Sequence, residues 1–293
     1  MSKGVLLSIA ASLLFGVLYY FSTLLKPLDG EDVFAWRTLL TVPFMLIFTA
    51  LMGDYGLVVG IWNRVKAQPL LVFVLLLSSA LIGIQLWLFM WAPLHNRALQ
   101  VSLGYFMLPL TMVLTGRLFY QDKLSGWQKL ATVSALIGVA HELLRVGNFS
   151  WEALLVALGY PLYFALRRNF KLDHLGGLWF DLVLMTPVAL WLAVQGDLTW
   201  GLLEEVPRLY WLIPTLGLIS VGALAAYAMA SRLLSFSVFG LLGYVEPVLL
   251  VAVALLLGET IASREWLTYI PIWLAVCFLL AEGVIYLGKK RLA

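Results

Sequence analysis

The chain is 293 residues long, 62% hydrophobic and only 12% charged, with a formal charge of +3. Soluble domains carry about a quarter charged residues, so this much apolar surface belongs in a lipid bilayer rather than in water. The small positive charge sits in loops and excludes a nucleic-acid-binding patch, and the single cysteine, Cys277, excludes both a disulfide framework and a Cys/His zinc site.

Roughly ten spans of about 20 residues fit the length. Span one covers Gly4 to Leu25. Its apolar run is too long for a signal peptide, and no small-residue cleavage site leads into a soluble domain. Ser8, Ser12, Gly16 and Tyr20 recur every four residues, giving a small face suited to close helix packing. Span two covers Val33 to Met52, with Arg37 just inside and Pro43 in its body. A polar, amphipathic link with Arg64 and Lys66 follows, from Gly53 to Gln68. Span three covers Pro69 to Pro93 and carries Gln85, Trp87, Phe89 and Trp91. His95, Asn96 and Arg97 form a tight link to span four, which lies between Ala98 and Tyr120. Span five covers Trp127 to Leu144, and span six, short and interrupted by Pro161, covers Phe149 to Leu166. Arg167, Arg168 and Lys171 then read as loop cations. Span seven covers Gly176 to Val194, with Asp181 and Pro187, and span eight covers Leu209 to Ala230. Span nine covers Phe236 to Leu257, and span ten runs from Glu265 to Leu287, before Lys289, Lys290 and Arg291.

Two stretches organise the rest. Gly104-Tyr105 precedes Pro109 in span four, and Gly243-Tyr244 precedes Pro247 in span nine. Proline frees the carbonyl four residues earlier, which in lipid must face protein or a wet cavity. Matched Gly/Pro interruptions in two halves point to a transporter binding site. The halves also match in order: Gly16 and Tyr20 with Gly159 and Tyr163, Arg37 and Pro43 with Asp181 and Pro187, each about 140 residues apart. An odd number of spans per repeat inverts the second copy. Residues 1–146 are therefore expected to form one five-helix repeat and residues 147–293 its inverted partner. The equivalent charges Arg37 and Asp181 then belong near opposite membrane faces and do not pair. With ten spans and both termini cytoplasmic, most of the 19 Lys and Arg fall on the inner side, as the positive-inside rule requires.

The run Ser102-Leu103-Gly104-Tyr105-Phe106 through Pro109, with Ile82-Gly83, Phe89 and Trp91-Ala92 before it, resembles the drug/metabolite transporter superfamily and within it the EamA-type RarD subfamily. Glu246-Pro247-Val248 followed by Gly258-Glu259 is similar to the end of EamA repeats. Two positions depart from that pattern: Leu108 stands where an asparagine is usual, and Asp122 where a glutamate ends the helix. The resemblance, which covers nearly the whole chain, implies an all-α integral membrane fold of ten transmembrane helices in two inverted five-helix repeats. It also implies an inner-membrane location and alternating-access movement of metabolites or drugs.

Glu246 is the foremost candidate, a carboxyl near mid-membrane beside Pro247, where a charge costs at least ~2.5–3.5 kcal/mol. It suits a substrate amine or a proton; its structural alternative is a protonated acid bonded to backbone near the proline. The other cavity candidates are Tyr105, Tyr244, Gln85, Trp87, Trp91, Tyr20, Tyr163 and Arg37, with Gly104, Pro109, Gly243 and Pro247 as helix breaks. Asp181 and Glu282 rank lower because they lie near the inner interface. His95, His141 and His174 lie near span ends and read as solvated, so no metal site is expected.

The function expected is secondary transport of a small molecule, with a proton or another ion as coupling partner. No cofactor is needed, and without a P-loop the chain does not hydrolyse ATP. A flippase for a lipid or lipid-linked carrier is the alternative, with Arg37, Arg97 and Arg145 for a headgroup. An intramembrane enzyme would need a second chemical group at the depth of Glu246, and a sensor would leave the paired Gly-Tyr-Pro stretches unexplained. The substrate, the direction of transport and the oligomeric state are not readable from these residues.

Overall fold

The computed structural model describes residues 2–94, 98–147, 150–196, 200–256 and 263–291. Among these every element is a helix: α1 (Ser2–Thr23), α2 (Gly30–Leu51), α3 (Tyr55–Ala67), α4 (Leu71–Leu94), α5 (Ala98–Phe119), α6 (Gly126–Val146), α7 (Trp151–Asn169), α8 (Leu175–Gln195), α9 (Trp200–Glu205), α10 (Leu209–Leu233), α11 (Phe236–Leu242), α12 (Val245–Leu256) and α13 (Trp266–Arg291). Among the described residues α1, α2, α4, α5, α8 and α10 are long and apolar enough to cross a membrane, and two shorter apolar stretches span Phe236–Leu249 and Trp266–Glu282. Span nine is divided because Gly243 and Tyr244 form a turn between α11 and α12.

Polar residues at the helix starts set the boundaries. The Asp29 carboxylate accepts from the Asp32 backbone N–H at 2.8 Å and caps α2, with Glu31 and Asp32 in its first turn. Ser125 and Gln128 form a reciprocal capping box at the start of α6. Gly147 ends α6 at φ +79°, a left-handed conformation in which most side chains are strained.

The helices gather into two compact units, and each unit draws on both halves of the sequence. One comprises residues 1–16, 99–161 and 230–293; the other comprises residues 17–98 and 162–229.

In the first unit α6 lies along α13. The contacts run antiparallel: Gln128 reaches Glu282, the Ser134 hydroxyl donates to the Pro271 carbonyl at 2.7 Å, and His141 meets Thr268. Ala131, Ala135 and Gly138 form the small face that permits this approach. A Cβ on Gly138 would sit 2.6 Å from the Thr268 carbonyl. The small stripe foreseen on α1 is also buried at Ser8, Ser12 and Gly16, and Gly4 one turn earlier is buried with it. Tyr20 does not continue it. The chain passes into the other unit at Val17, and Tyr20 is exposed.

The second unit is built on α2 and α8, with α4 packed against both and α3 laid across α8. Three buried threonines of α2 are satisfied within their own helix: Thr38, Thr41 and Thr49 donate to the carbonyls four residues back at 2.6–2.8 Å. Ser79 of α4 donates to the Asp181 carbonyl of α8 at 2.8 Å.

α5 departs from the reading of Gly104 and Pro109 as a helix break, for it runs unbroken through both. A single proline costs a helix one hydrogen bond, which neighbours can replace in a packed bundle. Gly104 serves close packing instead: a Cβ there would meet Val156 at 2.7 Å and the Ala153 carbonyl at 2.8 Å. α7 shows how a proline is accommodated. Pro161 cannot donate to the Ala157 carbonyl, and the Thr111 hydroxyl of α5 donates to that carbonyl at 2.5 Å. Thr111→Val should therefore lower stability by about 1–2 kcal/mol. The loss should shrink in a Pro161→Ala background, where a backbone N–H serves Ala157. A double-mutant cycle from unfolding in bicelles measures this, and equal losses in both backgrounds would refute the assignment.

Candidate functional site

The candidate residues fall into two settings. The first, in the unit built on α5, brings the two Gly-Tyr-Pro stretches together. Gly243 and Tyr244 turn through short i→i+3 bonds, Gly243 N–H to Gly240 O at 2.9 Å and Tyr244 N–H to Leu241 O at 3.1 Å. Pro247 lies in the first turn of α12 and cannot serve the Gly243 carbonyl; the Glu246 N–H takes its place at 3.2 Å. The Tyr244 ring is fully buried, and its hydroxyl donates to the Phe106 carbonyl at 3.0 Å. That carbonyl adjoins the one that Pro109 frees at Tyr105. A Cβ on Gly240 would lie 2.3 Å from Met112 Cβ, so α11 reaches α5 only with glycine there. Tyr244 is thus a fastening between the stretches.

Tyr105 is half-buried, with its hydroxyl 3.5 Å from that of Tyr160 on α7. Thr111 lies two turns further along α5, on the Ala157 carbonyl. Glu246 is half-buried at the second position of α12, where the helix N-terminus favours a carboxylate.

At the far end of α5, Asp122 supplies a contact that reading the chain in order did not foresee. Its carboxylate accepts from the Ser237 backbone N–H at 2.8 Å, beside the Ser235 cap of α11. A Cβ on Gly116 would fall 2.3 Å from the Ser237 hydroxyl. The aspartate in place of the usual glutamate therefore retains a firm polar partner. The corresponding Gly258-Glu259 lies outside the described residues, as do His95 and Arg97.

The second setting, in the unit built on α2 and α8, is a buried ionic knot. Arg167, read above as a loop cation, is 2% exposed and paired with Asp181, itself 1% exposed. The Tyr163 hydroxyl donates to the same carboxylate at 3.0 Å and accepts from Arg167 at 2.8 Å. Arg167 also donates to the His174 carbonyl at 3.0 Å, tying the end of α7 to the start of α8. Helical spacing places Tyr163 and Arg167 on one face; the missed signal was a tyrosine four residues before an arginine, facing an acid across a short turn. Tyr163 thus holds an ion pair, while Tyr20, matched with it in the sequence pattern, is exposed.

Arg37 is buried on α2 and donates from Nε to Ser220 of α10 at 2.9 Å. Gln85 is buried, and Trp87 and Trp91 stack with centroids 5.1 Å apart, on one face as the i, i+4 spacing predicts. Tyr19 meets Phe89 edge-on at 6.3 Å.

The two histidines among the described residues, His141 and His174, are engaged rather than solvated. His174 Nδ1 accepts from the Gly177 N–H at the start of α8. His141 Nδ1 lies 2.9 Å from the Thr268 hydroxyl, which donates to Glu142 at 2.8 Å. Glu142 in turn is paired with Arg145, and Glu265 stands 3.5 Å from Arg145. Glu282 accepts from Gln128 at 3.1 and 3.2 Å. These groups key the two ends of the α6–α13 seam. No group of three or more metal-ligating side chains occurs among the described residues.

Comparison with known proteins places these features in context. The chain is 44% identical over 290 residues to an uncharacterised transporter of Pasteurella multocida, covering 99% of each. It is 44% identical over 279 residues to the chloramphenicol-sensitive protein RarD of Pseudomonas aeruginosa, covering 94% of this chain and 92% of that one. To the protein RarD of Escherichia coli it is 25% identical over 288 residues, 96% of this chain and 95% of the other. No family profile matches. A crystal structure of a protein with 16% sequence identity shares the fold, with a TM-score of 0.68 over 96% of this chain and 98% of that one.

The ionic knot gives a clear expectation. Arg167→Met or Asp181→Asn alone strands a buried polar partner and should cost about 3–5 kcal/mol. The paired replacement Arg167→Met with Asp181→Leu should recover most of that loss. Denaturation of the three variants in bicelles measures it; a double variant as unstable as either single one would show that the pair is not the relevant contact.

Proposed function

The chain belongs to the RarD subfamily of the drug/metabolite transporter superfamily, and on that premise we propose that it is a secondary transporter moving small metabolites or drug-like molecules by alternating access. Its relatives are named uncharacterised transporters and RarD proteins, and its long apolar helices make it a multi-pass protein of a bacterial membrane. The proposal extends this to ten membrane helices in two inverted repeats, with both termini cytoplasmic in the inner membrane. Export or import is then driven by an ion gradient or by exchange, without ATP.

The observation that supports the reading is the packing of α2 on α8 and of α6 on α13. Within each pair the helices are the ones that the proposed repeats make equivalent. Inverted repeats related by an axis in the membrane plane bring equivalent helices together in this antiparallel manner. Each compact unit thereby contains a matched contribution from either half, the build that an exchange of two mirror-like states requires.

In this proposal Glu246, Tyr105 and Gln85 are the polar groups that meet substrate or proton. Trp87 and Trp91 supply aromatic surface, and Arg37 offers a cation to an anionic group. Tyr244 and Tyr163 are assigned instead to holding the fold, because their hydroxyls are already committed to a carbonyl and a carboxylate.

Purified protein in proteoliposomes should take up or release a labelled substrate in a saturable manner. The substrates to screen are amino acids, peptides and drugs, chloramphenicol included because of the name of the Pseudomonas relative. Glu246→Gln should leave the thermal unfolding transition within a few degrees of wild type while abolishing flux or its response to a pH gradient. Ligands that shift the transition yet never cross would point to a receptor, and an unchanged Glu246→Gln flux would remove the carboxyl from the mechanism.

A further inference from the structure

α3 has two faces, and only one of them is used by the fold. Val58, Ile61 and Val65 point inward, and Ile61 is buried with Leu75 of α4 and Leu172 before α8. Gly176 of α8 admits the α3 backbone, since a Cβ there would stand 2.8 Å from the Leu57 carbonyl. Arg64 donates to the carbonyls of Phe170 at 2.9 Å and Lys171 at 3.3 Å, just past the end of α7. That inward face is satisfied.

The outward face carries Tyr55, Val59, Trp62 and Lys66, spaced as one helical stripe and all exposed. Trp62 is 52% exposed, and the Lys66 ammonium stands 5.4 Å over its ring. A large aromatic beneath an ammonium is an amphipathic pair: an apolar body with a cationic tip. In water such a stripe gains nothing. At a lipid–water boundary the ring settles among glycerol groups and the ammonium reaches phosphate.

The chain itself holds α3 at that boundary. Three residues join it to α2 and three to α4, both of them long enough and apolar enough to cross a membrane. Its 13 residues are about 20 Å long, too short to cross ~30 Å of hydrocarbon. Its inward face is bound to α4 and α8, so the outward stripe has one medium to meet. Exposed Lys171 lies nearby on the same side of the unit, beside the carbonyls that Arg64 holds.

We propose that the outward stripe of α3, Tyr55–Val59–Trp62–Lys66, is a docking surface for anionic phospholipid headgroups, with Trp62 in the glycerol region and Lys66 on the lipid phosphate. Because Arg64 links the same helix to the end of α7, lipid bound there steadies the turn next to Arg167 and Asp181.

The test uses the full-length chain with Cys277→Ser and a nitroxide at Val59→Cys, in nanodiscs of phosphatidylcholine alone or with about a quarter phosphatidylglycerol. The label should collide more with oxygen than with a water-soluble nickel chelate, the signature of headgroup depth. Its mobility should fall when phosphatidylglycerol is added, and Lys66→Gln should remove most of that fall. A label as open to nickel as a site in bulk water would overturn the proposal. So would a mobility indifferent to phosphatidylglycerol, or a response that Lys66→Gln leaves whole. Should the label disturb the fold, fluorescence quenching by brominated phosphatidylglycerol gives a second reading: Trp62→Phe must lose a distinct share of the quenching seen in wild type, and equal quenching would refute the docking.

Discussion

Everything in this protein follows from the absence of water where most of its backbone lies. A polar group in a hydrocarbon environment must find its partner within the protein or go without, and going without is costly. Proline makes this demand local, because each one inside a helix releases a carbonyl. The Thr111 hydroxyl meets the carbonyl released by Pro161, and the Glu246 N–H meets the one released by Pro247. Charged groups obey the same rule. Arg167 and Asp181 persist in the interior because Tyr163 and the His174 carbonyl complete their shell.

Helix positions were largely legible in the chain, because 20-residue apolar runs and their polar punctuation report them directly. α2 and α8 begin and end within a few residues of where composition places spans two and seven. What escaped was local compensation. Whether a Gly/Pro pair breaks a helix depends on what stands opposite, and nothing within the stretch Gly104 to Pro109 says that α5 stays continuous while Gly243 turns. Arg167 escaped for a related reason. A cation at the end of an apolar run looks solvated until the acid across the turn is seen, and Asp181 lies 14 residues away along the chain.

The tyrosines teach the same lesson at the scale of the candidate site. Tyr105 and Tyr244 occupy matching places in matching stretches, yet Tyr244 is sealed and committed to a carbonyl while Tyr105 stays half-buried. Tyr20 and Tyr163 diverge likewise. Side chains that the sequence pattern sets in parallel do different things in the fold: Tyr244 and Tyr163 hold the scaffold, while Tyr105 is half-buried and Tyr20 is exposed. A matched position in the sequence is therefore a poor guide to the contacts a side chain makes.

The seam joining α6 to α13 is keyed at both ends, by Gln128 with Glu282 and by Glu142 with Thr268. These helices start about 140 residues apart along the chain. At about 5–20 residues per second of synthesis, α6 leaves the ribosome on the order of ten seconds before its partner exists. During that interval Gln128 and Glu142 stand in α6 with their final neighbours still unmade. The order of synthesis therefore makes this seam one of the last contacts to close, after the C-terminal helix has been made.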